Sequence, residues 1–280
     1  MNTWKAMFRE LTKEFMAEFL GVFILILFVC GSVAQAVVTG GGFGNLLTFN
    51  TGINLGLMLS VYVAGEVSGA HLNPAVTLAH GDPEEAATDE VPLYVAAQFL
   101  GAFAGASVFY GLYYDVLVAY TNGVFAVTGA NATAHIFASC PSEYTSVLNG
   151  FLNQVIGTAA LIVGILAFIG ENNNSQSKRP ATSGHQLIII AIAVSMGLNS
   201  YTLNPAQDLS PQLFAAVAGW GLYVFRAGDY EFWIQLTGPM VGAALGDGIY
   251  ALFIEWNHTE PVIREQRTTS RTLFEMITMI

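Results

Sequence analysis

The sequence predicts an all-α membrane protein, with six transmembrane helices plus two re-entrant half-helices arranged as an inverted repeat. Three observations carry that expectation. Only 10% of the 280 residues are charged and 54% are hydrophobic, whereas a soluble domain carries about 25% charged residues to cover its exterior. Six apolar runs approach the roughly 20 residues needed to cross a hydrocarbon core about 30 Å thick. Two further apolar segments are too short to cross, and both open with Asn-Pro-Ala, at 73–75 and 204–206.

The long runs fall at 15–38, 46–66, 92–114, 148–170, 185–199 and 232–254. The first is too long for the apolar core of a signal peptide and lacks a clear cleavage site, so it reads as a span. The fifth is the shortest, and its core from Leu187 to Leu198 needs polar flanks to reach full length. Gly101 with Gly105, and Gly238 with Gly242, are small-residue pairs of the kind that lets helix backbones approach closely in lipid. Cys30 lies inside the first run and Cys140 in a polar stretch, so neither points to a disulfide framework or a metal site.

An even number of spans puts both termini on one side. Lys5, Arg9, Lys13, Lys178, Arg179, Arg264, Arg267 and Arg271 then share that side and only Arg226 falls elsewhere, which assigns the termini to the cytoplasm. The acidic run Asp82–Glu90 lies inside too, but acidic residues contribute little to orientation. The net charge of -11 offers no basic face for nucleic acid. One domain is expected over 1–256, its first half at 11–114 and its second at 148–256, linked by an external loop at 115–147, with a cytoplasmic tail at 257–280. The external loop carries Asn131-Ala132-Thr133, an N-glycosylation acceptor pattern. The same pattern at Asn173 and Asn257 would face the cytoplasm and go unused.

Each Asn-Pro-Ala follows the second span of a three-span half, and the halves align at Glu18-Phe19-Leu20-Gly21 and Gln154-Val155-Ile156-Gly157. Three spans per half is odd, so the second half is inverted, and paired interrupted segments then point to the substrate path. Asparagine is a preferred N-cap and proline is preorganised for the first turn, so the tripeptide starts a helix abruptly. A half-helix of about seven to twelve residues covers on the order of 10–18 Å, and two from opposite faces meet near the midplane. Irregular backbone at that depth needs protein or a water-filled cavity around it. Amide donors from Asn73 and Asn204 beside two positive helix ends suit a passing hydroxyl and disfavour cations. Either Asn-Pro alone reads as an ordinary turn, and the duplication argues against that.

These residues resemble a known family. Ser-Gly-Ala-His-Leu-Asn-Pro-Ala-Val-Thr at 68–77 with the second Asn-Pro-Ala (Asn204, Pro205, Ala206) looks like the paired signature of aquaporins, over residues 11–256. Asp208 beyond Ala206 looks like the glycerol-conducting branch, as do Gly31-Ser32-Val33-Ala34-Gln35, Val127-Thr128-Gly129 and Ala218-Gly219-Trp220-Gly221. The resemblance implies a homotetramer with one channel per subunit in the plasma membrane, passing glycerol and water, with urea and other small neutral solutes as further candidates. It implies an external filter at Ile53, Ala193, Tyr201 and Gln207. Small apolar Ile53 and Ala193 suit the carbon backbone of a polyol better than water alone. The loop holding Tyr201 looks one residue shorter than the branch norm.

Gln207 departs from the arginine ordinarily present there. Arginine brings several fixed donors and a permanent charge, whereas glutamine keeps a donor, adds an acceptor and removes the charge. That exchange leaves three outcomes open: a wider solute range, a cation or proton leak, or a poorly conducting pore. Gln212 replaces a basic residue as well.

Ionisable groups at membrane depth are functional candidates. The resemblance implies that Glu18 fixes loop backbone, with Gln154 at the matching place; Glu14 reads as interfacial, and Glu66 and Asp247 sit at or in spans. His71 reads first as a brace for the re-entrant loop and second as a pH-sensitive gate. Passive passage needs no covalent chemistry, and no nucleophile–base pair, phosphate loop or metal cluster is legible, so neither enzyme activity nor a cofactor is expected. The alternatives are a water-selective or non-conducting relative, or a coupled secondary transporter. The last would need ionisable groups at the midplane, where amides are expected instead.

Overall fold

The computed structural model describes residues 2–79, 90–139, 146–169, 203–226 and 231–257. Seven α-helices occur among them: α1 (Asn2–Val38), α2 (Leu46–Ser68), α3 (Pro74–Ala79), α4 (Glu90–Thr121), α5 (Val147–Ile169), α6 (Pro205–Ala215) and α7 (Ile234–Tyr250). Five of these, α1, α2, α4, α5 and α7, are long and apolar enough to cross a membrane. The expected fifth span at 185–199 lies outside the described residues. Apart from helices and turns, the described residues hold one isolated bridge, Ala126 with Ala132.

Two boundaries differ from expectation. Helix α1 begins at Asn2 rather than at 15, because nothing in the basic lead-in breaks a helix and Lys13 pairs with Glu10 one turn back at 2.7 Å. Helix α4 runs to Thr121 rather than 114. Its continuation Asp115–Thr121 is still mostly apolar, and the first stop signal is Asn122-Gly123, both left-handed with φ 53° and 77°. The connection after α4 therefore starts at 122 rather than 115. Helix α2 follows the expected range, opened by Asn45, whose side chain accepts from the Leu47 and Thr48 N–H groups, and closed by Gly69 at φ 78°.

Helix α1 packs between α2 and α4, and α5 packs on α7. In lipid, apolar burial supplies no drive for helix association, so close backbone approach must do so. The expected glycine pairs sit at these seams. A Cβ on Gly101 would collide with the Phe19 carbonyl and one on Gly105 would lie 2.8 Å from the Phe23 carbonyl. In the second half, a Cβ on Gly238 would lie 2.5 Å from Gln154 Cβ, and one on Gly242 2.5 Å from the Val155 carbonyl. Large apolar side chains such as Leu20, Leu55, Leu59, Leu112 and Leu245 point outward and are exposed, as a lipid-facing surface allows.

An aromatic cluster joins the connection after α4 to the chain at and beyond the end of α6. Phe125 stacks on Trp220 at 4.4 Å, and Phe137 lies 5.1 Å from Trp220 and 5.7 Å from Phe214. Trp220 Nε1 also donates to Thr133 Oγ1 at 3.1 Å. Beyond α6 the chain continues through Ala216–Trp220 and turns at Gly219 and Gly221, with φ 135° and 72°.

Candidate functional site

Helices α3 and α6 start at the two Asn-Pro-Ala copies and meet at their N-termini. The residue before each asparagine, Leu72 or Leu203, is held at φ 54°, a left-handed conformation that costs a leucine roughly 1–3 kcal/mol and persists only where its surroundings impose it. That bend lets each asparagine cap its own helix. Asn73 Oδ1 accepts from Ala75 N at 2.8 Å, and Asn204 Oδ1 accepts from Ala206 N at 3.1 Å and Gln207 N at 3.2 Å. The caps leave both side-chain nitrogens aimed across the junction. Asn73 Nδ2 donates to the Leu203 carbonyl at 2.9 Å, and Asn204 Nδ2 donates to the Leu72 carbonyl at 2.8 Å. These reciprocal bonds tie the two halves of the chain at one point.

Buried polar side chains lie behind the junction in both halves, and in the first they bond the bend itself. In the first half, Glu18 is fully buried and accepts four hydrogen bonds. Its Oε1 takes Ser68 Oγ at 2.7 Å and His71 N at 2.9 Å, and its Oε2 takes Leu72 N at 2.7 Å and Gln98 Nε2 at 2.7 Å. Gln98 Nε2 also reaches Thr77 Oγ1 at 3.0 Å, and Thr77 bonds the Asn73 carbonyl at 3.1 Å. In the second half, Gln154 Nε2 donates to Gln235 Oε1 at 2.6 Å, while Gln154 Oε1 is buried without a partner. Helix α1 opposes Leu72 with Gly21, where a Cβ would lie 2.5 Å from the leucine; Gly157 on α5 opposes Leu203 at 2.8 Å.

Of the expected filter, Ile53 on α2 and Gln207 on the first turn of α6 are both half-buried, while Ala193 and Tyr201 lie outside the described residues. Asp208 is 1% exposed, and its Oδ1 accepts from Ser139 N in the connection after α4 at 2.7 Å. Gln212 is buried and donates to the Val224 carbonyl at 3.0 Å, an anchoring use that needs no charge. His71 is half-buried, with its ring 4.9 Å from Tyr94, whose hydroxyl donates to the Ser68 carbonyl at 3.0 Å. Asn131 is exposed, as are Glu66 and Asp247, and Glu14 is half-buried.

Gln98, Tyr94 and Ser139 are among the residues of the site that escaped the sequence reading. Gln98 had a signal, a lone amide inside the apolar run 92–114. Tyr94 looked like one aromatic among many. Ser139 carried no signal, because its contribution is a backbone N–H.

Comparison with known proteins agrees with this geometry. Residues 5–250 match the family model described as major intrinsic protein. The chain is 48% identical to aquaporin-9 of Homo sapiens over 253 residues, covering 90% of this chain and 86% of that one. It is 44% identical to human aquaporin-10 over 253 residues, covering 89% and 83%. Among solved structures, the aquaglyceroporin from Plasmodium falciparum superimposes with a TM-score of 0.77 at 29% identity, over 87% of this chain and 97% of that one. A duplicated half-helix junction, glycine-packed spans and a match across nearly the whole chain lead to one assignment: this integral membrane protein belongs to the major intrinsic protein family.

Proposed function

We propose that this chain is a passive channel for glycerol and water that also admits urea and other small neutral solutes. The observation that carries the reading is the reciprocal pair of bonds from Asn73 to Leu203 and from Asn204 to Leu72. They fix two capped helix starts back to back, and an amide nitrogen has two hydrogens, so Asn73 keeps one for a passing hydroxyl. The nearest carboxylate on the first half, Glu18, is fully occupied by four donors. Amides and carbonyls at the junction favour passive passage over ion coupling. Likeness to proteins named aquaporin and aquaglyceroporin supports water and glycerol as the permeants.

In this reading Ile53, Ala193, Tyr201 and Gln207 form the external filter, and Asp208 braces it. His71 is a brace, since its backbone N–H is on Glu18 and its ring lies against Tyr94. The subunits form homotetramers in the plasma membrane with both termini cytoplasmic, and the exposed Asn131 faces outward for glycosylation.

The test is stopped-flow light scattering from liposomes holding the wild type or Gln207→Arg, under glycerol, urea and impermeant-osmolyte gradients. Fast glycerol and water flux in the wild type is expected. Fast water flux alone would make it a water channel. No wild-type flux, with flux restored by the arginine, would mean that glutamine has closed the filter.

A further inference from the structure

We infer that Asp208 is a positioning residue that clasps the external connection onto α6 and so sets the solute size limit of the channel. The inference rests on the channel reading above and adds a determinant to the same site. Asp208 follows Gln207 and sits in the first turn of α6, where its backbone N–H bonds the Asn204 carbonyl at 3.2 Å. Its side chain points the other way and is 1% exposed. There Oδ1 accepts from Ser139 N at 2.7 Å. One residue thus links the capping asparagine at the junction to the external connection.

The clasp is one-sided. Asp208 Oδ2 is buried with no partner, so the carboxylate holds the connection through Ser139 alone, by its backbone N–H and its side chain, and such charge-assisted bonds are a strong type. The chain just beyond the opposite end of α6 has its own fastening, from Trp220 Nε1 to Thr133 Oγ1. The stretch 133–139 therefore lies along α6, pinned at both ends, with Phe137 packed on Phe214 between the pins. Loss of the Asp208 pin frees the end nearest Gln207, the end that borders the proposed filter. A loosened wall there admits longer polyols more than it affects glycerol, which already fits.

The variants Asp208→Ala and Ser139→Pro each remove one side of the bond, the second by deleting the donor N–H. Both are measured in liposomes for permeability to glycerol and to a five-carbon polyol, beside wild type and Asp208→Asn. The five-carbon-to-glycerol ratio is expected to rise about threefold or more in the two breaking variants, as loss of a charge-assisted bond implies. Asparagine keeps an acceptor and returns the ratio toward wild type. A general loss of folded protein lowers both fluxes and leaves the ratio alone. An unchanged ratio in both breaking variants, with wild-type glycerol flux intact, would overturn the clasp and leave the channel reading standing. No wild-type flux for any solute would overturn both. Hydrogen–deuterium exchange on the wild type reads the bond without any variant: slow exchange at Ser139 supports the clasp, and free exchange there overturns it.

Discussion

The two halves of this chain solve one problem with different chemistry. Each must hold a leucine in a left-handed bend so that the next asparagine caps a half-helix. In the first half a buried carboxylate does this, and Glu18 gathers two backbone N–H groups, a hydroxyl and an amide onto its two oxygens. In the second half the matching residue is Gln154, which bonds one neighbouring amide and leaves its own oxygen bare. Yet the bends are the same, φ 54° at both Leu72 and Leu203. Among the described residues, the bends share the Gly21 and Gly157 surfaces behind the leucines and the reciprocal asparagine bonds in front. The carboxylate adds stability to one half beyond that common minimum.

The largest expected effect breaks this asymmetry directly. Glu18→Ala leaves the His71 and Leu72 N–H groups without their acceptor, at about 1–3 kcal/mol for each unsatisfied buried group. Its loss of stability is expected on the order of 3–5 kcal/mol. Gln154→Ala breaks one amide–amide bond and is expected to cost about 1–2 kcal/mol. Thermal unfolding of the purified protein in detergent measures both. Equal losses would mean that the carboxylate holds nothing more than the amide does.

The same asymmetry shows what was legible in the sequence. The duplicated Asn-Pro-Ala, the three spans per half and the glycine pairs announced the inverted fold, because caps and close helix crossings leave local residue signatures. The long ends of α1 and α4 were less legible. Composition marks where the apolar run fades, but a helix stops at a breaker, and Asn122-Gly123 lies several residues past that point. Inside the site, Asn73 and Asn204 stood out while their actual bonds did not. Each donates to a backbone carbonyl some 130 residues away in the chain, and no residue type advertises a carbonyl. Ser139 is hidden for the same reason.

The glycine seams come next in size. Alanine at Gly105 would place its Cβ 2.8 Å from the Phe23 carbonyl, and alanine at Gly242 would place it 2.5 Å from the Val155 carbonyl. Backbone cannot give way as a side-chain tip can, so each substitution is expected to cost about 1–3 kcal/mol. The larger loss belongs to Gly242, the tighter contact. If both halves depend equally on close helix approach, the two shifts in unfolding temperature lie within a small factor of each other. A silent Gly242→Ala would show that the second half is held by something other than its seam.

The smallest effect tests whether the first-half clamp is Glu18 alone or a wider group. Tyr94 lies over His71 and its hydroxyl donates to the Ser68 carbonyl at 3.0 Å, from the residue whose own hydroxyl is on Glu18. Tyr94→Phe keeps the ring contact and removes only that bond, so about 0.5–1.5 kcal/mol of stability should go. Glu18 still holds the His71 and Leu72 N–H groups, so the Leu72 bend stays and glycerol flux in liposomes is expected to match wild type. A clear fall in flux below wild type would mean that the carboxylate works only while Tyr94 fixes Ser68. The first half would then depend on a chain of bonds, and would be more fragile than the second rather than more secure.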